Sequence, residues 1–594
     1  MNTIEKRIKS VQSFMESHDL DALYISGTDV HLGEYVSDRY RSREWITGFT
    51  GSAGTVVVTR NETHLWVDSR YYLQGALQTE NTPVILERLG DAGVLDPFDW
   101  IRSRSDTIRR IGLDKTTLSV ASYRVLKKIL EPALVEIVLL DDFLEELWVR
   151  RPENPFSTVV EMNVEIAGES RGHKIGRIRD KVKSAGADAT IISTLDDIAW
   201  ITNLRGGDLP HTPVFFSYLI ITSDEVILCT DESRFDTKLL QRLFEEITVV
   251  PYRSVMEHVE RITSKGLSVY ISDECTTMEM YEKLGGCRAV IEGANFSTLM
   301  KAKKNEVEVE GMRRAHYLDG LALVKFLHHL DTNDTEDLTE ISIARLLEDY
   351  RKESEEYLGP SFAPIAGFGP HGAMEHYSAT SESCSVLQGD TLLVLDTGGQ
   401  YESGTTDITR TLALNGVSDQ MKRDYTLVLK GNLALSAARF PKGTKGYQLD
   451  VLARQFLWQS GLSYGHGTGH GVGHRLNVHE GPQNISPRTL QVPLEPGMVL
   501  SDEPGLYRKG EYGIRIENLV TVFEEAVTSY GPFYTFEVLT LCPFERKLID
   551  VSLLNTEEIA MLNAYHGWVY SELSRELNDD QKEWLKEVTL PIEQ

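Results

Sequence analysis

The chain has little cysteine and no long apolar stretch. Of its 594 residues only 5 are cysteine, an odd number, and no two are spaced as Cys-x-x-Cys. A disulfide framework is therefore not expected, and the thiols are predicted to be reduced, as in a cytosolic protein. No apolar run approaches the roughly 18 residues that a membrane-spanning helix needs, so we do not expect a membrane protein.

Positive charge is scarce as well. Lysine and arginine together number 61 and aspartate and glutamate 89, which gives a formal charge of −28. Such a surface repels nucleic acid and anionic membranes, so neither is an expected partner. The N-terminus lacks the apolar core of a secretion signal, and Ile4, Ile8, Val11 and Met15 recur there at helical spacing instead. We therefore expect a globular, cytoplasmic protein.

The first half of the chain carries an internal duplication. Asp21-Ala22 aligns with Asp188-Ala189, 167 positions later, and Trp45-Ile46-Thr47 aligns with Trp200-Ile201-Thr202, 155 positions later. The first copy therefore holds about 12 extra residues, near Thr28–Arg39. Each copy shows an amphipathic helix, a buried strand and a hairpin-like pair of strands. The pattern predicts two similar α/β domains in tandem.

Two stretches mark the predicted boundaries between domains. Trp148–Phe156 holds two prolines and little helical periodicity, which is typical of a linker. A second boundary is predicted near Leu299–Lys304, directly before a long helix for which Asn305 is a candidate cap. Beyond that helix, histidines, glycines and strands that end in acids become dense, so the chemistry is expected there.

Four acids in the last part of the chain follow or lie on predicted strands. A continuous apolar run leads into Asp396, and a second strand carries Asp407, which a turn can bring alongside. Another apolar run leads to Glu503, and Glu517 is predicted on a strand whose face it shares with Arg515. A lone acid on a strand is usually solvated, but the unalternating run before Asp396 predicts burial on both faces.

Four histidines lie between the two pairs of acids, within fourteen residues: His466, His470, His474 and His479. Glycines alternate with them and let the backbone approach a bound group closely. Four buried carboxylates would carry a charge of −4, which cannot persist without cations. Two divalent ions supply +4, and Mn²⁺ leads for carboxylates with a single imidazole, with Co²⁺, Zn²⁺ or Fe²⁺ as alternatives. The sequence thus predicts a dinuclear metal centre.

The set Asp396, Asp407, His470, Glu503 and Glu517 resembles the metal ligands of the pita-bread metallopeptidases, which include methionine aminopeptidase, prolidase and the metal-free creatinase. The segment HGTGHGVGHRLNVHEGP is similar to the signature of the proline peptidases. The whole chain resembles the long, three-domain cytosolic X-prolyl aminopeptidases. The matching stretches span the chain: Thr47–Thr55, Trp66–Gln74, Asn203–Asp208, Lys304–His316 and Gly404–Thr411.

This resemblance implies a fold and an assembly. The expected fold is mixed α/β (α+β), with two tandem creatinase-like domains followed by a pita-bread catalytic domain. The corresponding ranges are 1–151, 152–300 and 301–594. A homodimer is implied by the resemblance as well.

The resemblance also implies a role for each ligand. Asp396 is expected to chelate one metal ion, and Asp407 and Glu517 to bridge the two ions. His470 and Glu503 are expected to complete the shell of the second ion. Glu503 is further expected to accept a proton from the water between the metals.

Four further active-site residues follow from the resemblance. His376 is expected near the scissile bond, and His466 in the pocket for proline. His479 is expected to stabilise the tetrahedral oxygen or to protonate the leaving nitrogen, and Arg515 to support the two glutamates. His474 stands where near relatives have a small polar residue, and we expect a structural role for it.

The implied reaction is hydrolysis of the X–Pro bond at a peptide N-terminus. That bond has no N–H and proline fixes φ, so peptidases that need the amide hydrogen cannot grip it. One metal would bind the free amine and the other would polarise the carbonyl, while a bridging hydroxide attacks.

Three alternatives remain. Prolidase, which cleaves X–Pro dipeptides, shares the ligands, and only the three-domain length favours the aminopeptidase over it. Methionine aminopeptidase lacks the duplicated front half. A non-catalytic protein on this fold would have lost ligands, whereas all five are present.

Overall fold

The computed structural model describes residues 3–333 and 337–593, so the outermost residues of the predicted domain ranges, 1 and 594, lie outside the description. The described residues are a mixture of helices and strands, which confirms the mixed α/β class. They divide into two compact units. The first contains the residues up to 163 and 169–297, and the second contains 164–168 and the residues from 298 onward.

The first unit begins with a six-stranded sheet. Its strands are β1 (Ala22–Ile25), β2 (Thr55–Thr59), β3 (Thr63–Val67), β4 (Val84–Arg88), β5 (Arg110–Asp114) and β6 (Glu136–Leu140). Its helices are α1 (Thr3–Ser17), α2 (Ser42–Thr47), α3 (Tyr72–Thr79), α4 (Pro97–Ser103), α5 (Val120–Leu130) and α6 (Leu144–Leu147). The order in the sheet is β4-β3-β2-β1-β5-β6. The apolar face of α1, with Val11 and Met15 fully buried, packs in the core of this sheet as its periodicity predicts.

A second sheet repeats this arrangement. The next strands are β7 (Val160–Glu161), β8 (Ala189–Ile192), β9 (Leu204–Arg205), β10 (Tyr218–Thr222), β11 (Val226–Cys229), β12 (Thr248–Val250), β13 (Ser268–Ile271) and β14 (Ala289–Glu292). The next helices are α7 (Val164–Ala167), α8 (Arg171–Ser184), α9 (Leu195–Thr202), α10 (Thr237–Leu243), α11 (Val255–Ser264), α12 (Met278–Lys283) and α13 (Phe296–Ala302). The order β12-β11-β10-β8-β13-β14 matches the first sheet strand for strand, which confirms the duplication.

The aligned aspartates make the same hydrogen bond in both copies. Asp21 Oδ2 accepts the N–H of Arg110 at 3.0 Å, and Asp188 Oδ2 accepts the N–H of Ser268 at 2.7 Å. Each aspartate directly precedes the first strand of its sheet and fixes the start of the parallel neighbour, β5 or β13. The Asp-Ala pair is therefore repeated because its aspartate makes the same structural hydrogen bond in both copies.

The extra residues of the first copy contact the second copy. His31 is buried, and its two ring nitrogens lie 2.8 Å from the Ser193 carbonyl oxygen and 2.9 Å from the Tyr252 hydroxyl. The insertion near Thr28–Arg39 thus joins the two copies within the first unit.

Among the described residues, the second unit holds the longest helix and four sheets. Besides α7 and residues 298–302 of α13, its helices are α14 (Glu306–Thr332), α15 (Glu340–Arg351), α16 (Asp419–Ser436), α17 (Gly446–Gln459), α18 (Thr556–Leu573) and α19 (Asp579–Val588). Its first strands are β15 (Tyr357–Pro360), β16 (Ile365–Phe368), β17 (Leu392–Thr397), β18 (Gly399–Tyr401), β19 (Gly404–Thr405), β20 (Ile408–Ala413) and β21 (Arg439–Pro441). The remainder are β22 (Gly469–Gly471), β23 (Glu480–Ile485), β24 (Val499–Asp502), β25 (Gly505–Arg508), β26 (Tyr512–Arg515), β27 (Asn518–Thr528) and β28 (Gly531–Val538).

These strands form separate small sheets that share the core of the unit. The orders are β15-β18-β19, β16-β17-β20, β25-β26 and the six-stranded β21-β28-β27-β24-β22-β23. One core cluster packs Tyr425 and Val428 of α16 against Ile514 and Ile516. In residues 3–333 and 337–593, no helix combines the length and the apolar character of a bilayer span.

The long helix α14 begins where the sequence predicts. Asn305 is its N-cap: the side-chain oxygen accepts the N–H groups of Val307 and Glu308, each at 3.0 Å, and the Glu308 carboxylate accepts the Asn305 N–H at 2.9 Å. This reciprocal arrangement satisfies donors that a helix terminus otherwise leaves unpaired.

Replacing the cap tests this helix start. We expect Asn305→Ala to lower the free energy of unfolding by about 1 kcal/mol, because two helix N–H groups lose their acceptor. Asn305→Ser loses, as alanine does, the bond from Asn305 Nδ2 to the Ala167 carbonyl oxygen at 2.9 Å, but it keeps an acceptor oxygen for the helix and is expected to lose less. Urea denaturation followed by circular dichroism measures both, and equal losses would contradict the capping role.

Candidate metal centre and active site

The predicted metal ligands lie where the chain passes from one sheet to another. Asp396 lies near the end of β17, before β18 of a different sheet, and Asp407 lies between β19 and β20. Glu503 separates β24 from β25, and Glu517 separates β26 from β27. His470 is the middle residue of β22. Each of the four acids therefore lies at a point where the chain passes from one sheet to another, and these four points lie in one region.

The prediction that Asp407 and Glu517 lie on strands is wrong. They occupy the breaks 406–407 and 516–517, next to β20 and β27. Inside a ladder, side chains alternate strictly between the two faces of the sheet. A break at a sheet crossing releases that constraint, so each carboxylate can turn toward the centre. The apolar run before Glu503 does form a strand, β24, as predicted.

The ligand atoms converge closely. His470 Nε2 lies 3.4 Å from Asp407 Oδ2 and 3.7 Å from Glu503 Oε1. One ligand atom from each of Asp407, His470 and Glu517 lies within 4.8 Å of the other two. Asp396 reaches this group through Arg515, which bonds to it at 2.6 Å. The structure thus brings all five predicted ligands into one neighbourhood.

Unpartnered carboxylate oxygens show that a cation fits this centre. Asp396 Oδ1, Asp407 Oδ1 and Glu517 Oε1 are buried and have no hydrogen-bond partner. Leaving such oxygens unsatisfied costs several kcal/mol each unless a positive group completes them. A set of carboxylate oxygens with one imidazole nitrogen suits a hard or borderline divalent ion.

Burial and mutual repulsion shift the pKa values of the ligands. Burial raises the pKa of Glu503 to about 7. Burial, together with the charge of Asp407, holds the pKa values of Asp396 and Glu517 above their usual range. Burial alone would lower the pKa of His470, but its bond to Asp407 and the charge of Glu503 outweigh that effect and raise this pKa to about 9.

Arg515 bonds to Asp396, and not directly to Glu503 or Glu517, the two glutamates that the resemblance implies. Its Nη2 donates to Asp396 Oδ2 at 2.6 Å, and its Nε donates to Thr409 Oγ1 at 3.2 Å. The Thr409 hydroxyl in turn donates to Glu517 Oε2 at 2.9 Å. Arg515 therefore supports Glu517 through Thr409, and its direct ion pair is with Asp396.

Two residues of this network escape the sequence analysis. Thr409 pairs with Asp396 in the β17–β20 ladder, so the register of a hairpin through the two aspartates would have identified it. Tyr507 accepts a bond from Arg515 Nη1 at 2.6 Å, and its hydroxyl lies 2.9 Å from His466 Nε2. No local pattern indicates Tyr507, because its partners come from other segments of the chain.

The predicted histidines occupy different places. The His479 ring lies edge-on to the ring of His470, a predicted ligand, with centroids 4.3 Å apart. His466 joins the site through Tyr507. His376 is half-buried and follows the short 3-10 turn Gly369–Ala373, which packs against β26, the strand of Arg515. His474 is buried next to α14, where a Cβ on Gly311 would lie 2.8 Å from its Nε2, and its structural role stays a prediction.

Family models match four segments of the chain. The Creatinase/Prolidase N-terminal domain matches residues 7–147 and again 150–308. Metallopeptidase family M24 matches 310–524, and the C-terminal region of the M24 peptidases matches 532–592. The segment matched by the M24 model contains all five predicted ligands.

Relatives match over the full length. The "Probable Xaa-Pro aminopeptidase P" of Laccaria bicolor is 36% identical over 100% of this chain and 94% of its own length. The protein of the same name from Sordaria macrospora is 39% identical over 100% of both chains.

Solved structures agree. The X-prolyl aminopeptidase of Caenorhabditis elegans, described as a cytosolic enzyme with a di-nuclear active site, is 33% identical with a TM-score of 0.95 over 100% of both chains. The Xaa-Pro dipeptidase of Bacillus anthracis is 25% identical with a TM-score of 0.52, and it covers 63% of this chain and 99% of its own.

Metal binding at this centre is expected to displace protons. A divalent ion needs ionised carboxylates and a neutral imidazole, whereas Glu503 holds a proton below about pH 7 and His470 below about pH 9. The Mn²⁺ affinity of the metal-stripped protein should therefore rise with pH until about pH 9. The rise is up to about tenfold per pH unit for each proton displaced, so it should be steeper below about pH 7, where Glu503 also loses a proton. Calorimetric titration in buffers of different ionisation enthalpy counts these protons, and an affinity independent of pH would rule out the competition.

Proposed function

The chain belongs to the Xaa-Pro aminopeptidase P family of M24 metallopeptidases, and from that membership we propose that it releases the N-terminal residue of peptides with proline at the second position. The observation that carries the proposal is the convergence of Asp407, His470 and Glu517 within 4.8 Å. The unpartnered oxygens of Asp396, Asp407 and Glu517 support it, because they suit cations.

The proposed cofactor is a pair of divalent ions, with Mn²⁺ as the first candidate and Co²⁺, Zn²⁺ or Fe²⁺ as alternatives. The residues that would hold them are Asp396, Asp407, His470, Glu503 and Glu517. When bound, the ions would supply positive charge that polarises the scissile carbonyl and lowers the pKa of a nucleophilic water. A solved relative of full length is described as having a di-nuclear active site.

The protein's own side chains account for the proton transfers. Glu503 Oε1 lies 3.7 Å from His470 Nε2, and we assign it the proton from the attacking water. His479 stands edge-on to His470. We propose that a ring N–H of His479 donates a hydrogen bond to the tetrahedral oxygen or a proton to the leaving prolyl nitrogen. That nitrogen must be protonated as the C–N bond breaks, because an amide anion is a very poor leaving group.

We propose that three hydrogen-bonded residues lie next to the bound substrate. His466, Tyr507 and Arg515 form a chain of hydrogen bonds that ends on Asp396. We propose that His466 lines the pocket for proline and that His376 contacts the substrate near the scissile bond. Domain boundaries at 151 and 300, a homodimer and a cytosolic location stay predictions from the sequence.

A comparison of two substrates separates this activity from prolidase activity. Mn²⁺-loaded protein is expected to release the first residue of an Arg-Pro-Pro tripeptide faster than it cleaves an Arg-Pro dipeptide. Release of free arginine is measured by chromatography, with metal content determined on the same sample. Cleavage of the dipeptide alone would make the protein a prolidase, and cleavage of neither would reject the proposal.

Substitution of a proposed bridging ligand tests the centre itself. Asp407→Asn is expected to lower kcat/KM by more than the about 10–100-fold typical of changes outside the ligand shell. The thermal midpoint of the metal-free protein is expected to change little, because the loss of the bond to His470 is offset by the loss of repulsion from Glu517 and Glu503. Asp349→Asn, on the exposed face of α15, is the control and should leave both quantities unchanged. Wild-type rates for Asp407→Asn would refute the ligand role.

A further inference from the structure

A buried ion pair lies on α14 and α15, the first two helices after the predicted boundary near residue 300. Asp319 of α14 and Arg351, the last residue of α15, are each 2% exposed. Arg351 Nε donates to Asp319 Oδ1 at 2.7 Å, and Nη2 donates to Oδ2 at 3.2 Å. Two parallel bonds of this kind fix the orientation of both groups.

The arginine of the pair holds the residues that follow Asp396. Arg351 Nη1 donates to Thr397 Oγ1 at 2.5 Å and to the Gly398 carbonyl oxygen at 3.2 Å. Because neighbouring residues of a strand point to opposite faces, Thr397 points away from the metal centre when Asp396 points into it. Arg351 thus holds the end of β17 by hydrogen bonds on the face opposite the metal centre.

The aspartate of the pair holds the residue that precedes Asp407. Thr406 Oγ1 donates to Asp319 Oδ2 at 3.0 Å and accepts the N–H of Gly399 at 2.9 Å. The Tyr401 hydroxyl donates to Asp319 Oδ1 at 2.9 Å. The segment between the two ligand aspartates is therefore fastened to the pair at both ends.

We infer that Asp319 and Arg351 are positioning residues that set the spacing of Asp396 and Asp407 for metal binding. Like-charged carboxylates repel each other, so a spacing suited to two cations needs support from outside the centre. A neutral ion pair supplies that support without adding net charge. This inference rests on the proposed dinuclear centre.

Thr406 offers the sharpest test, because its replacement leaves the ion pair in place. Thr406→Val removes the hydroxyl at nearly constant volume, and Thr406→Ser keeps the hydroxyl. Calorimetric titration of metal-stripped protein with Mn²⁺ should show affinity about 10–100-fold lower for Thr406→Val and within about threefold of wild type for Thr406→Ser, because outer-shell bonds orient the ligands.

A matched pair of ion-pair variants separates positioning from plain stabilisation. Asp319→Asn should weaken Mn²⁺ binding as Thr406→Val does. Glu558→Gln disrupts another largely buried ion pair of the same unit, with Lys430, and should lower the thermal midpoint while leaving the Mn²⁺ affinity unchanged. Saturating Mn²⁺ should restore most of the peptidase activity of Thr406→Val.

The outcomes distinguish this inference from the proposed function. Wild-type Mn²⁺ affinity in both Thr406→Val and Asp319→Asn would overturn the inference and leave the pair a purely structural role. So would an activity loss in Thr406→Val that saturating Mn²⁺ does not restore. Wild-type protein that neither binds Mn²⁺ nor cleaves the tripeptide would overturn the proposed function, and the inference with it.

Discussion

The second unit depends on holding like-charged carboxylates together out of water. Asp396, Asp407 and Glu517 each bury an oxygen that no protein donor satisfies. In a medium of low dielectric such an arrangement costs several kcal/mol, and it persists only if the surrounding structure fixes it. The four sheet crossings meet that need, because each acid lies at a point where the backbone is held by hydrogen bonds of two different sheets. Bound cations remove the same repulsion, so metal binding is expected to raise the free energy of unfolding.

Two arginines act on opposite faces of β17. Arg515 donates to Asp396 on the side of the centre, and Arg351 donates to Thr397 on the other side. The first places a permanent positive charge beside a ligand and sets the orientation of its carboxylate. The second forms a neutral pair with Asp319, so it constrains the backbone while its charge is cancelled. One guanidinium therefore acts mainly through charge and the other mainly through geometry.

The sequence predicts the ligands better than it predicts their surroundings. Acids that end apolar runs and histidines among glycines are local patterns, and they predicted the four acids and a cluster of four histidines, whereas the choice of His470 among the histidines came from the resemblance to the metallopeptidases. The position of Glu517 in a break was not predictable, because a crossing between sheets is decided by tertiary packing. Tyr507 and Arg351 were missed for the same reason: their partners lie in distant segments, and neither has a local signature. Thr409 is intermediate, since the hairpin register alone places it opposite Asp396.

The charges around the proposed centre favour a reaction in which negative charge develops. Four carboxylates and two divalent ions cancel, while a metal-bound imidazole is neutral. Arg515, bonded to Asp396, adds one positive charge, which balances the negative charge of the hydroxide in the proposed mechanism. Attack on a carbonyl creates an oxyanion, and a preorganised positive charge in a poorly solvated site stabilises that oxyanion more than the neutral substrate. In the proposed mechanism, the arginine that orients Asp396 would therefore also stabilise the oxyanion of the transition state, and loss of its charge would lower the rate even if the metals remained in place.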